Sequence, residues 1–209
     1  ITVSSSMVEE VVSFRRMPED PLSNPSLAGF LYTSDFLDNC YDLNNQTGKI
    51  LQSLSQRVVS ESMTKDDLSE EFFLGLAEAI VEDQVKVYRQ LQNIPVLRSS
   101  AKKDLFRRVQ KGKELIDECF CTQINTELIA QHATLSQFHF FRLFKSIYQV
   151  SPYQYILNKR LDLAKSLLSK SETVSNTALE TGFSDVHSFS KAFKKKFGIS
   201  PRQFSADQK

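Results

Sequence analysis

The chain has 209 residues, 41% of them hydrophobic, enough for one large domain or two small ones with a buried core. No run approaches the roughly 18 to 20 consecutive apolar residues of a membrane span, and the first residues lack a secretory pattern, so a soluble cytoplasmic protein without membrane contact is expected. The net charge of +1 conceals a split: residues 1–125 hold 14 Lys and Arg against 19 Asp and Glu, whereas residues 126–209 hold 12 against 6. An acidic half joined to a basic half is the footprint of a nucleic-acid-binding region attached to something else.

Strand signals are nearly absent. Only Ile1 to Val3 reads as extended, and an overwhelmingly helical chain is expected. Ser6-Met7-Val8-Glu9 fits a capping box that opens a short helix running to about Arg16. Pro18, Pro21 and Pro25 then force an irregular passage, read as a hinge or the edge of a truncation. A chain that begins with Ile1 is expected to be numbered from inside a longer protein or to have had a preceding segment removed.

From about Thr47 to Glu61, Ile50, Leu51, Leu54 and Val58 recur at helical spacing, which predicts an amphipathic helix. Thr64 is placed to cap a longer helix with Leu68, Phe72, Leu76, Ile80, Val87 and Leu91 along one face, stopped by Pro95, for a length of about 40 Å at 1.5 Å per residue. The next helix is predicted from about Ala101 to Cys121. Its inward face is Leu105, Val109, Ile116 and Phe120, and Lys102, Lys103, Arg107, Arg108, Lys111 and Lys113 point mostly outward, as a solvated face or for contact with backbone phosphates. The three cysteines, Cys40, Cys119 and Cys121, are an odd number in a chain too long to need disulfide staples, and reduced, inert thiols are expected.

The strongest feature is an internal repeat. Phe144-Lys145 through Ser151-Pro152-Tyr153-Gln154-Tyr155 matches Phe193-Lys194 through Ser200-Pro201-Arg202-Gln203-Phe204 at an offset of 49 residues. Upstream of each copy lies the same pair of helices. Ala130 and Ala178 supply the small residue where two helices cross in a helix-turn-helix, and the turns fall at Thr134-Leu135-Ser136 and Gly182-Phe183-Ser184. Leu135 and Phe183 plug the core. Ser136, and either Ser184 or Asp185, are placed to cap the second helices.

Projected at 100° per residue, the second helices gather Phe140, Leu143 and Phe144, and likewise Phe189, Ala192 and Phe193, onto core faces. The opposite faces carry Phe138, Phe141, Arg142 and Lys145 in the first unit and His187, Ser190, Lys191 and Lys194 in the second. Arg142 and Lys191 have the donors to bond guanine O6 and N7, and His187 and Ser190 can bond base edges or phosphates. Phe138 and Phe141 can do neither. They suit thymine methyl groups, unless they fold back on the domain or cover a partner surface. Between the units, Pro152 opens a helix to about Lys170 with Tyr155, Ile156, Leu161, Ala164, Leu167 and Leu168 buried, a spacer of roughly 28 Å between two groove-reading helices.

From Asn125 to Ser205 these residues resemble the AraC family of transcription regulators. Leu135 through Lys145 is similar to that family's first recognition helix. Gly182-Phe183-Ser184-Asp185 through Phe193-Lys194, followed by Gly198-Ile199-Ser200-Pro201, is similar to its second unit. The family commonly has a polar residue where Phe141 stands. The resemblance implies a seven-helix domain that binds double-stranded DNA, controls transcription and often touches RNA polymerase, with a separate region for effector binding or dimerisation. The helices at about 64–93 and 101–121 resemble the lead-in that follows a small β-rich sensory domain in some members. No such domain is visible in this sequence.

The expected architecture is therefore all-α: two helix-turn-helix subdomains, at about 126–148 and 174–197, joined by a long linker helix and preceded by a helical N-terminal region. Residues 1–100 are expected to serve as linker, dimerisation element or remnant of a regulatory domain, and residues 101–207 as the DNA-binding domain. The N-terminal helices could also pair as a homodimer. Two other functions fit this sequence less well. An alkyl-acceptor or metal site at Cys119-Phe120-Cys121 lacks zinc spacing even with His132 or His139, and no catalytic constellation, phosphate loop, cofactor motif or metal site is evident. A helical module for protein contacts alone would leave the basic balance of the C-terminal half without a purpose.

Overall fold

The computed structural model describes residues 11, 27, 30, 31, 45–60 and 69–206. The extended Ile1 to Val3, the capping box at Ser6, the proline passage, Cys40 and the Thr64 cap lie outside the described residues. Among the described residues the structure is all helical, as expected, with no strand. The chain divides into two compact units, residues 1–92 and 93–209.

In the first unit, α1 (Gln46–Val59) opens at Asn45, whose side chain accepts the Gly48 N–H at 2.6 Å. Its burial differs from the periodicity: Leu54 is buried, Ile50 and Leu51 are half-buried, and Val58 is 53% exposed. The helix is instead held at its N-terminal turn. The buried Thr47 N–H donates to the Asp83 carboxylate at 3.0 Å, and Lys86 donates to the other oxygen at 3.1 Å. Asp83 lies on α2 (Glu70–Gln92), which at 1.5 Å per residue is about 34 Å long and ends before Pro95. Ala77 and Val81 of α2 share a core with Val11, Leu27 and Leu31. Phe72 and Ile80, assigned to the buried face, are half-buried.

The second unit begins with α3 (Ser99–Cys119), two residues earlier at each end than expected. Both the Thr122 N–H and its hydroxyl donate to the Cys119 carbonyl and close the helix there. Phe106, Val109, Gly112 and Ile116 form its buried face. Phe106 takes the place expected of Leu105, and Phe120, expected inward, is half-buried at the C-cap. Gly112 lets α3 approach closely, since a Cβ there would stand 2.5 Å from the Phe140 ring.

The repeat is legible in three dimensions. The first helix-turn-helix pairs α4 (Thr126–His132) with α5 (Gln137–Tyr148), and the second pairs α7 (Val174–Glu180) with α8 (Val186–Phe197). Between them runs α6 (Pro152–Ser169), and α9 (Pro201–Ala206) closes the described chain. Ser151 with Gln154 caps α6 reciprocally, and Ser200 with Gln203 does the same ahead of α9.

Phe144 lies 5.5, 4.6 and 5.6 Å, between ring centroids, from Phe140, Tyr148 and Tyr155. Its counterpart Phe193 lies 5.7, 4.6 and 5.8 Å from Phe189, Phe197 and Phe204. Two aromatic cores of one design thus support the two units. Phe140, Phe144, Phe189 and Phe193 are wholly buried, and Ala192, expected with them, is half-buried. On α6, Ile156, Leu161, Ala164 and Leu168 are buried as expected, whereas Tyr155 and Leu167 are only half-buried.

Candidate nucleic-acid interface

The second helix of each pair is aimed by its turn. Ala130 and Ala178, each 2% exposed, sit at the crossings. The Leu135 N–H donates to the Ala130 carbonyl at 2.9 Å and the Phe183 N–H to the Ala178 carbonyl at 3.0 Å, so the same reverse turn closes both units. Thr134 and Gly182 provide the left-handed residue that this turn needs, with φ of 52° and 79°.

Beyond the turn the copies diverge. Ser136 caps α5, accepting the His139 N–H at 3.4 Å, but the cap of α8 is Asp185, not Ser184. The second turn is therefore one residue longer, which shifts the offset from 48 between the crossing alanines to 49 between the aromatic cores. Asp185 accepts from the Ser188 N–H at 2.7 Å and from the Ser188 and Ser184 hydroxyls. The bonds from Ser188, with smaller help from Ser184 and the His187 N–H, hold its carboxyl below the ordinary carboxylate range.

Opposite the cores, α5 and α8 present two different faces. On α5, Phe138 is 77% and Phe141 40% exposed, beside exposed Arg142 and Lys145. On α8, His187, Lys191 and Lys194 are exposed and Ser190 is half-buried. Neither helix carries an acidic side chain. The first face is apolar with a cationic edge, and the second is polar and cationic throughout.

Other basic residues serve the fold. Lys196, third in the run Lys194-Lys195-Lys196, donates to the Asp162 carboxylate at 2.7 Å and the Asn158 carbonyl at 3.1 Å and is turned toward α6. Lys113, expected to point outward, pairs with Asp117 at 2.6 Å, and Asp117 also accepts from Lys159 at 2.7 Å and the Tyr155 hydroxyl at 2.9 Å. Burial raises the Tyr155 and Tyr148 hydroxyls far above their ordinary range.

Arg160 is a residue that the sequence analysis passed over. Its Nε and two terminal nitrogens donate to the carbonyls of Phe120, Gly182 and Thr122 at 2.6, 2.7 and 2.7 Å. A signal was present: Ile156, Arg160, Ala164 and Leu168 form an i, i+4 stripe on α6, and a charge within a buried stripe implies a dedicated set of partners.

Cys119 and Cys121 are half-buried free thiols, and burial pushes the Cys121 thiol up against the smaller opposing effect of Arg160. Among the described residues no group of three or more His, Cys, Asp or Glu is arranged to hold a metal ion. Among them, too, no helix is long and apolar enough to cross a membrane.

Two turn-linked helix pairs on matched aromatic cores, joined through one helix, define a double helix-turn-helix protein. Residues 129–207 match a family described as a helix-turn-helix domain. The chain is 39% identical over 90 residues to the probable transcriptional regulator LumQ of Photobacterium leiognathi, covering 43% of this chain and 36% of that protein. It is 30% identical over 132 residues to the HTH-type transcriptional regulator ArgR of Pseudomonas aeruginosa, covering 62% and 39%. It is 34% identical over 82 residues to the probable transcription factor PqrA of Proteus vulgaris, covering 39% of this chain and 67% of that protein. A solved AraC-type transcriptional regulator from Chromobacterium violaceum matches at 28% identity, with a TM-score of 0.45, over 49% of this chain and 92% of that one. The chain belongs to the AraC family of transcriptional regulators. It spans only 36% and 39% of the lengths of LumQ and ArgR.

Proposed function

We propose that this protein regulates transcription by reading double-stranded DNA in a sequence-specific way, with α5 and α8 entering successive major-groove segments. The observation that carries this reading is the pair of exposed, acid-free faces on α5 and α8, each set opposite a buried aromatic core. A helix of this kind fits the major groove, and the groove is where base pairs are told apart. Arg142 and Lys191 donate to guanine, His187 and Ser190 reach base edges or phosphates, and Lys145 and Lys194 neutralise the backbone. Phe138 and Phe141 pack on thymine methyls, so the first head reads mainly by apolar contact.

In this reading residues 101–207 are the DNA-binding domain and residues 1–100 carry regulatory or dimer contacts. The protein acts in the cytoplasm, without enzymatic activity, as a homodimer or a monomer that contacts RNA polymerase.

Selection of bound duplexes from random DNA at near-physiological salt tests it, repeated with Arg142→Ala and Lys191→Ala. A motif of two blocks about one helical turn apart is expected, each variant relaxing a different block, at about 1 to 3 kcal/mol for each guanine contact removed. No motif, with binding that simply disappears as salt rises, would reject the reading.

A further inference from the structure

We propose that Arg160 fixes the register between the two reading heads and thereby sets the spacing of the base blocks this protein accepts. The functional half of the proposal rests on the DNA-reading role given above. The structural half does not.

Arg160 sits on α6, the helix between the heads, and its fork binds backbone on both sides. Phe120 and Thr122 belong to the segment that leads from α3 into the first helix-turn-helix, and Gly182 is the turn residue of the second. A guanidinium is planar and offers donors in fixed directions, so three carbonyls bound at 2.6 to 2.7 Å are held in fixed relation to one another.

The two segments also abut directly. A Cβ at Gly182 would collide with the Cys121 carbonyl oxygen, so the second turn rests on the chain between the two carbonyls that Arg160 holds on the first side. The Phe183 ring, which plugs the second core, lies 6.0 Å from the guanidinium carbon. This knot joins the second head to the first by contacts beyond the continuous helix α6. With it, the turn that aims α8 is tied to the segment that delivers the chain into α4. Arg160 touches no base in this scheme. It is a positioning residue, and its effect is on where the second block must lie.

Arg160→Lys keeps the charge and length but replaces the fork with a point donor that cannot span three carbonyls. Two measurements on the full chain separate register from fold. The first uses no DNA: residual dipolar couplings of the α5 and α8 amides should fit one alignment tensor in the wild type and require two in Arg160→Lys. The second uses the two-block duplex from the selection experiment, with one base pair added between the blocks, a shift of about 3.4 Å and about 34°. The wild type should lose about tenfold or more in affinity, the loss of one head's base contacts. Arg160→Lys should lose less than about threefold while binding either block alone as tightly as wild type.

A single tensor with an unchanged spacing profile in Arg160→Lys would overturn the proposal. So would collapse of its amide spectrum, because the residue would then be holding the fold and not the register. Gly182→Ala disturbs the same knot from the opposite side, since its Cβ would meet both the Cys121 carbonyl and the Arg160 guanidinium carbon, and it should soften the spacing preference in the same way. If the wild type selects no DNA at all, the DNA-reading role fails, and the dipolar couplings still decide whether Arg160 locks the heads.

Discussion

Thr134 and Gly182 hold the same place in the two helix-turn-helix units, both in the left-handed region, at φ of 52° and 79°. The first unit meets this requirement with a side chain that pays for it in strain, about 1 to 2 kcal/mol for an L-residue. The same contrast recurs at the C-terminal ends of α5 and α8, where Gln149 and Gly198 take φ of 61° and 82°. Thr134→Gly should therefore stabilise the protein by about 0.5 to 1 kcal/mol, after the extra freedom that glycine gives the unfolded chain is subtracted. Gly182→Ala should destabilise it by about 2 to 4 kcal/mol, combining backbone strain with the collision against Cys121. Urea unfolding of both variants measures the pair, and equal effects at the two positions would contradict the difference drawn between them.

The lysines of α8 should divide by their surroundings. Lys194 is exposed on the side of α8 away from its core, whereas Lys196 is engaged with Asp162 and the Asn158 carbonyl. Lys194→Gln should lower the slope of log affinity against log salt by about one unit, as expected for a phosphate contact removed. Lys196→Gln should leave that slope unchanged. Fluorescence anisotropy across a salt series reads both.

If Phe138 and Phe141 meet thymine methyls, uracil substitution in the first block removes the contact without changing base pairing. Each methyl lost should cost about 0.8 kcal/mol, or about fourfold in affinity. The same substitution in the block read by α8 should have little effect. With Phe138→Ser and Phe141→Ser combined, the discrimination between thymine and uracil should disappear from the first block.

Asp185 predicts a pH dependence with a definite sign. Its carboxyl is held below the ordinary carboxylate range, so its stabilising effect is complete above the ordinary value and is lost as pH falls through the lowered one. Asp185→Asn keeps an acceptor for the cap but has no charge to titrate. The stability advantage of the wild type over Asp185→Asn should be largest at neutral pH and should narrow in strongly acidic solution. A difference that stays constant, measured by thermal melts across that range, would contradict the assignment of Asp185 as the cap that titrates.

Much of this architecture was legible in local pattern. The 49-residue repeat appears in space as two matching sets of ring contacts, from Phe140 to Tyr155 and from Phe189 to Phe204. The helices, the crossing alanines and the Ser-Pro starts follow from residues close in sequence, where helical spacing and capping act within a few positions. The faces of α5 and α8 could likewise be projected from spacing, because each helix has one apolar side, built around two phenylalanines, that must be buried. Expectations weakened where neighbours distant in sequence decided burial. Val58 is exposed although it lies on an apolar stripe, and Phe106 replaced Leu105 in the core of the second unit.

The sequence by itself determined an all-helical chain, a doubled unit and the composition of two surfaces, since these depend on periodicity and on which residues can occupy a cap or a crossing. Tertiary structure alone decided which charges belong to the surface. Lys159 and Lys196 were drawn into pairs with Asp117 and Asp162, and Arg160 was directed to three carbonyls contributed by segments 22 to 40 residues away. A charged side chain looks the same in sequence whether it faces water or another helix. What separates the two cases is whether the fold brings acceptors to it, and that is settled only when distant backbone converges.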